Sequence, residues 1–433
     1  MSGTLNPERT AMPNEHGPEF DLVIRHGHIL TMNAARAAFP DGFLGIKDGR
    51  ITAIEDDREF LRYQSAHEID ATGCAVLPGM INAHTHLAMT LFRGMADDVA
   101  LEEFVSRLTT EEANVLTPDT VGRGAASAAA ESMLAGTTAA LDMYWFSDAT
   151  VAAAADYGLH VVSGPTFANF ANPDPRSFTE TLRDAEERLA GFPVGDPAAP
   201  ALMPHSTYAL TRKQLEQVAG LARRHGCRVH VHAGESEREV ADVRRLHGAT
   251  PVQVLDQTGL LGPKTVIAHA VELHGRDIET LAATRTSVAH CPWSNLKLAC
   301  GVAPVGKLLE AGVTVALGTD SAVSSNGLDV WSAVKLAATL HKGVSGDPAL
   351  ITAEQAIDMA TVHGARALGL AEEIGTLEVG KRATLQVVDL SRPHFEGCRD
   401  VWSALAYSAR PSDVRDVIVD GVQRVLSGAL IGK

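Results

Sequence analysis

At 433 residues, 45% of them hydrophobic, the chain is long enough to bury a large core. Its formal net charge of −16 argues against a nucleic-acid partner, whose footprint would be basic, and against an anionic membrane surface. No apolar run reaches the roughly 18 residues that a membrane-spanning helix needs, and the five cysteines, widely spaced and without a C-x-x-C pair, speak for a reducing cytoplasm rather than a disulfide framework.

Residues 1–20 are polar, lack the apolar segment of a secretory signal, and read as a short disordered arm. From Phe20 to about Thr72 the chain holds short strands with turn punctuation: DLVIRHGHILTM, GFLGIKDGRITAIEDD and HEIDATG. Asp41–Gly42 and Asp48–Gly49 are hairpin signals. The stretch from about Ile374 to Leu430 reads the same way, in GTLEVGKRATLQVVDL and DVRDVIVDGVQRVLSG. Neither end has enough strands to bury a sheet alone. Residues 21–73 and 374–433 are therefore expected to pair into one small β-sandwich domain.

Between them, over residues 74–373, apolar strand candidates alternate with helical patterns, which implies βα units and a parallel sheet. The strand candidates are Cys74–Ala83, Thr137–Met143, Leu159–Gly164, Ala201–His205, Arg228–His232, Thr265–His269, Ser287–His290 and Val313–Gly318. Helical stretches such as DTVGRGAASAAAESMLAG, SFTETLRDAEERLAG and TRKQLEQVAGLARRHG fill the gaps, and several end in glycine, as helix C-caps do. The expected fold is α/β: a (β/α)8 TIM-like barrel with insertions, carrying the small β domain. Cys74 and Cys227 open apolar strands and are expected in the core.

In such barrels function lies at the carboxyl ends of the strands. Here those ends carry His84 and His86, His205, His232, His269, His290 and Asp320. A single histidine on an apolar strand is most often a satisfied core residue, but a whole set at successive strand ends is not explained that way. His84 and His86 fall on one face of their strand. With His232 and Asp320 they make three neutral imidazoles and a carboxylate, a set that suits a divalent metal, Zn²⁺ first and Fe²⁺ second. Such a metal brings a bound water toward pKa ~7. Glu235, three residues past His232, is placed to shuttle a proton from that water to a substrate. His269 is expected to donate to the substrate or hold the attacking hydroxide, with Asp320 as partner, or to serve as a ligand itself.

The segments PGMINAHTH, VHVHAGE, AHA, HCPWSNLKLACGVAPV and GTDSAVSSNGLD resemble the amidohydrolase superfamily. HTHLAMTLFRGMADD and SNLKLACGVAPV narrow the resemblance to the aminohydrolase branch of 5'-methylthioadenosine/S-adenosylhomocysteine deaminases and triazine chlorohydrolases. It runs from about Asp21 to Gly428. The resemblance implies one metal on His84, His86, His232 and Asp320, Glu235 as proton shuttle, His269 as a second catalytic group and His205 as a substrate contact. Two-metal relatives use a carbamylated lysine at the end of strand four. This chain reads MPHSTYAL there, with no lysine before Lys213, so a mononuclear site is implied.

The chain departs from the nucleoside-deaminase pattern in two places. A ribose-contacting glutamate in a W-P-x-E context is matched by Ala113, with Glu112 beside it. An arginine after strand three is matched by Ser163, and Arg176 is the candidate to replace a second arginine further on. Both departures touch specificity rather than chemistry. The expected reaction is hydrolytic deamination of an amino-substituted heteroaromatic ring, an adenine nucleoside such as 5'-methylthioadenosine or S-adenosylhomocysteine, with ammonia released. The alternative is a non-nucleoside ring: a triazine amine or chloride, a guanine-like base or a pterin. Tyr144–Trp145–Phe146 cluster past a strand end in a chain with only 5% aromatics, and Trp145 is the expected wall for a flat ring, with Leu87, Phe92, Met95, Phe167, Phe170 and Trp293 as further lining candidates. A non-catalytic scaffold would lack ligands, and none is missing. A nucleic-acid editing deaminase would carry P-C-x-x-C, which is absent. A homo-oligomer is compatible with the sequence without being shown by it.

Overall fold

A computed structural model describes residues 19–99 and 101–431 of the chain. Leu22–Leu30 (β1), Ala38–Lys47 (β2) and Arg50–Asp56 (β3) form an antiparallel meander. Asp48 and Gly49 close the β2–β3 hairpin with φ of 48° and 75°, the left-handed pair a two-residue turn requires. Asp41–Gly42, expected as another hairpin turn, lies inside β2 instead. Gly42 faces Gly27 at a register shift, and a Cβ there would stand 2.6 Å from Phe39 Cβ and 2.9 Å from Ile29 Cδ1. The glycine serves a close approach between strands, not a reversal. Of the arm expected over residues 1–20, residues 1–18 lie outside the described residues. Phe20 is buried against Phe43 and Tyr63, with ring centroids at 6.1 and 5.2 Å, so the end of that segment belongs to the core.

Glu68–Asp70 (β4) and Cys74–Pro78 (β5) both pair in parallel with β1. The run Cys74–Ala83, expected as one strand, is therefore two. β5 stays in the terminal sheet, and Met80–His86 (β6) enters the central body. The chain changes sheets at Gly79, where a Cβ would lie 2.2 Å from Thr138 Oγ1. A continuous apolar run hides such a division, because both halves are buried on both faces.

In the body, β6 pairs in parallel with Thr137–Asp142 (β7), and β7 with His160–Val162 (β8). Thr166–Phe167 (β9) pairs with Met203–Pro204 (β10). Val229–Ala233 (β11), Thr265–His269 (β12), Ser287–His290 (β13) and Val315–Leu317 (β14) form a parallel sheet. Single bridges, Leu202 to Val229 and Ser206 to His232, tie the β10 region to β11. Asp320–Ser321 (β15) pairs with Thr85 and His86 of β6, which sets the last strand end of the series beside the first.

The intervening helices start and stop where their polar residues dictate. Thr117, Ser177 and Thr211 head Pro118–Leu134, Phe178–Leu189 and Arg212–His225 through reciprocal capping boxes. Gly226, Gly248 and Gly259 end their helices in the left-handed conformation.

Leu385–Asp389 (β16), Val414–Val419 (β17), Val422–Leu426 (β18) and Ala429–Leu430 (β19) return to the terminal sheet. β16 lies antiparallel to β5, so the two ends of the chain share one nine-stranded sheet. Cys74, Cys227, Cys291 and Cys300 are buried and Cys398 is exposed, and none of the five is in a disulfide. Among the described residues no helix is long and apolar enough to cross a membrane.

Candidate active site

The carboxyl ends of β6, β11, β12 and the β14–β15 segment converge on one cluster of buried polar side chains. His84 and His86 leave β6 on the same face, as strand periodicity requires. His230 Nδ1 meets the carbonyl of Val266 at 2.9 Å, and a carbonyl only accepts, so His230 carries its proton there. Its bare Nε2 accepts from His84 Nδ1 at 2.7 Å. His84 Nε2 is then left as a lone pair, buried and without a hydrogen-bond partner. His232 Nδ1 donates to the carbonyl of His205 at 2.8 Å, and His86 Nδ1 to that of Met143, so their Nε2 atoms also face inward.

Asp320 completes the set. Its Oδ2 accepts the hydroxyls of Ser294 and Ser324 at 2.6 and 2.7 Å. Its Oδ1 stands 3.4 Å from His84 Nε2 and 3.2 Å from His86 Nε2. His232 and His86 Nε2 are 3.4 Å apart. Burial pushes His84 down to about 3 and His232 well below its ordinary value. Burial acts on His86 the same way, but the Asp320 carboxylate overrides it and holds His86 up at about 9. The carboxylate thus demands one positive charge among nitrogens that otherwise remain neutral. Three imidazole nitrogens and one carboxylate oxygen, with an orphaned lone pair among them, fit a divalent cation. His269 is within the same reach: the sets His84, His86, Asp320 and His84, His232, His269 each gather ligand atoms within 4.8 Å.

Asp320, His269 and Ala270 hold φ of 59°, 76° and 50°, left-handed values unusual for residues with side chains. They lie where the strands give way to loops, so the strain falls at the cluster itself. His269 Nδ1 accepts from Asn295 at 3.0 Å, which leaves its proton on Nε2, 3.9 Å from Glu235 Oε1. Glu235 is largely buried, and burial raises its carboxyl from the ordinary value. Its backbone N–H donates to Glu239 at 2.6 Å, fixing the turn after β11.

A cavity of about 1200 Å³ opens over this floor. Glu235, His269, Asp320, His86 and His232 line its base, and Tyr144, Trp145, Phe170, His205 and Tyr208 its walls. Trp145 and His205, both expected as substrate contacts, line this cavity. Glu112 also reaches the cavity, yet it is buried and accepts the Tyr144 hydroxyl at 2.7 Å, and burial raises its carboxyl. Arg176 does not reach it. That guanidinium is clamped on Asp174 and Asp184 at 2.6 and 2.7 Å and faces a different, smaller cavity, so the expected substrate contact is corrected. Leu87, Phe92, Met95, Phe167 and Trp293 do not line the cavity either. Trp293 stands 45% exposed on the helix Pro292–Lys297.

The residues missed from sequence are those that hold the others: His230, Ser294, Asn295 and Ser324. The H-x-H spacing of VHVHAGE was signal enough for His230, since it puts both imidazoles of β11 on one face.

The amidohydrolase family model matches residues 75–424. The chain is 40% identical over 402 residues to a 5-methylthioadenosine/S-adenosylhomocysteine deaminase of Syntrophobacter fumaroxidans, covering 93% of this chain and 92% of that one. Among solved structures it superposes on a zinc-bound adenosine deaminase from Xanthomonas campestris with a TM-score of 0.92 at 34% identity, over 96% of this chain and 95% of that one. An atrazine chlorohydrolase from Arthrobacter aurescens shares the fold, with a TM-score of 0.88 at 23% identity over 95% and 96% of the two chains. With a family match that takes in every strand end of the buried cluster, and relatives alike over nearly their whole length, the chain belongs to the amidohydrolase family.

Proposed function

We propose that this chain is a metal-dependent hydrolytic deaminase of an amino-substituted heteroaromatic ring, with an adenine nucleoside of the 5'-methylthioadenosine or S-adenosylhomocysteine kind as substrate. The observation that carries the reading is the inward set of His84, His86 and His232 Nε2 with Asp320 Oδ1, beside the buried Glu235. The relative from Syntrophobacter fumaroxidans supports the substrate class by its name. His84, His86, His232 and Asp320 would hold the cation, zinc first and ferrous iron second. When bound, such a cation supplies Lewis-acid activation of water at neutral pH.

The remaining chemistry belongs to side chains. A flat ring enters between Trp145, Phe170 and His205. Glu235, whose raised carboxyl can carry a proton, protonates the ring nitrogen and makes the adjacent carbon electrophilic. That proton comes from the attacking water; Glu235 then takes the second one from the hydroxyl added to the ring carbon and delivers it to the amine, so that the C–N bond breaks, ammonia leaves and the ring keeps a carbonyl and an N–H. His269, with its proton fixed on Nε2 by Asn295, donates toward the oxygen that adds to the ring. Asp320 lines the base of the cavity with His269.

A second reading, hydrolysis of a non-nucleoside ring such as a triazine amine or chloride, a guanine-like base or a pterin, is favoured by one observation. Arg176 is held away from the cavity and Glu112 is engaged by Tyr144, so neither group offered for ribose is free.

We also infer that the body closes into one eight-stranded barrel. The β15–β6 pairing and the bridges from the β10 region to β11 support closure. The terminal sheet buries apolar clusters around Ile24 and Leu44 and around Phe20 and Phe43, which supports a small sandwich domain built from residues 21–73 and 374–433, with β5 added to it. Cysteines held in no disulfide support work in a reducing cytoplasm.

The test is ammonia release by zinc-loaded protein on methylthioadenosine, S-adenosylhomocysteine, adenosine, guanine, a pterin and amino-triazines. Turnover of an adenine nucleoside is expected. Turnover of a bare ring alone moves the assignment to the second reading. Glu235→Gln should keep its zinc and lose about 10²–10⁴ in turnover; retained turnover removes Glu235 from the mechanism.

A further inference from the structure

A second cavity, about 920 Å³, opens at the amino ends of the body strands, away from the reaction centre. Its lining comes from the starts of β8, β11 and β12, the loop at 195–200, the helices Ser147–Ala155 and Phe178–Leu189, the segment at 367–374, and the terminal sheet through Arg50 and Arg382. Most of its cations are paired. Arg50 and Arg382 each meet Glu373 at 3.1 Å, and Arg382 also meets Asp420 at 2.9 Å. Arg188 meets Asp148 at 2.6 Å and Asp184 at 2.9 Å.

Arg228 is different. It is only 7% exposed, yet it has no ion pair among the described residues. It donates to the carbonyls of Pro197 at 3.0 Å and Gly369 at 3.3 Å, two of the five donors a guanidinium carries. Asp196, the carboxylate that acts on it electrostatically, accepts from Ala198 N–H at 2.8 Å within its own loop. Gly369, at φ 66°, lets the guanidinium lie flat against the backbone, because a Cβ there would stand 2.9 Å from Nη2 and 3.0 Å from Nε. Lys264 adds a second cation on the rim, with Nζ donating to Gly226 O at 2.5 Å. Buried cations in folded proteins are paired, and a chain with a net charge of −16 has carboxylates to spare. A buried guanidinium kept without one, on the wall of a cavity, is built to receive a negative charge from outside. Val151, Val161, Phe192 and Leu370 give the cleft an apolar part, and Glu372, His160 and Ser163 also line it.

We propose that this cleft is a second ligand site, which takes the carboxylate or phosphate group of a small apolar molecule at Arg228, with Lys264 assisting from the rim. The occupant spans the seam between the body and the terminal sheet, so it ties the two together.

The experiment is thermal unfolding of the full-length zinc-loaded protein in increasing inorganic phosphate or benzoate, against chloride at equal ionic strength. A saturable rise in midpoint is expected with at least one of them. Phosphate alone assigns a phosphate ligand and benzoate alone a carboxylate. Arg228→Gln should abolish the rise while zinc content and ammonia release are kept. Arg228→Lys, which retains charge without the fork, should weaken saturation about tenfold, and it carries the test where the glutamine variant fails to fold. No saturable rise over chloride, or an unchanged response in either Arg228 variant, overturns the proposal.

Discussion

His230 does not line the cavity, yet the orientation of His84 depends on it. The relay from His84 Nδ1 through His230 to Val266 O leaves only one nitrogen of His84 free to face Asp320. Replacing His230 with Phe removes the acceptor and strands a buried N–H. Zinc affinity should fall about 10–100-fold, the usual cost of losing a partner that orients a metal ligand, in competition with a chromophoric chelator. His230→Gln, which keeps an acceptor, should recover part of it. Equal affinity in the wild type and the Phe variant would show that His84 is held by packing alone. The contrast between His230 and Arg176 also marks what a sequence discloses at this scale. Strand periodicity exposes His84, His86 and His232, because a fixed two-residue repeat decides the face. It says nothing of Arg176, whose fate rests on Asp174 and Asp184 reaching it first.

Among elements, the transition at Gly79 does most to place the site, since it turns one apolar run into a terminal strand and the strand that bears His84 and His86. Nothing in CAVLPGMINAHTH marks the division except the Pro78–Gly79 pair, and a buried strand reads alike on either side of it. The requirement for glycine is spatial: Thr138 Oγ1 and Cγ2 would lie 2.2 and 2.4 Å from an added Cβ. Gly79→Ala should therefore cost about 1–3 kcal/mol by overpacking, read from urea unfolding. Thr138→Ala in the same chain should return part of that loss, because it removes the two nearest atoms and leaves only the Thr138 Cβ, at 2.8 Å. If the double variant is no better than Gly79→Ala alone, backbone conformation rather than the Thr138 side chain explains the glycine. The same reasoning accounts for Asp41–Gly42: the dipeptide is a turn signal only where no neighbouring strand needs the space.

The molecule as a whole carries 53 acidic against 37 basic residues, and some of its carboxyls are buried without a cation. Burial, joined by the neighbouring charge of Glu235, pushes the Glu239 carboxyl up to about 7 against the backbone N–H bonds that hold it down, and burial pushes Asp142 up to about 6. For such groups the folded chain binds protons more tightly than the unfolded chain. Their contribution is complete below the unfolded pKa near 4–4.5 and is lost as pH rises through the folded value. Mutual repulsion among the excess acids acts in the same direction. The buried histidines act the other way: His84 and His232 stay neutral in the fold below about pH 6.5, where the unfolded chain takes up protons, so the pH dependence of the whole chain is a balance of the two sets. A difference measurement isolates one group from the rest. Glu239→Gln is neutral at every pH, so it should exceed the wild type by only about 1 kcal/mol at pH 5, where Glu239 is protonated in the fold but already largely ionised in the unfolded chain. It should exceed the wild type at pH 8 by roughly 3 kcal/mol, the free energy of ionising a carboxyl held from 4.5 to about 7. A gap between the two proteins that is the same at both pH values would mean that Glu239 keeps its charge in the fold, and that its bond to the N–H of Glu235 outweighs its burial.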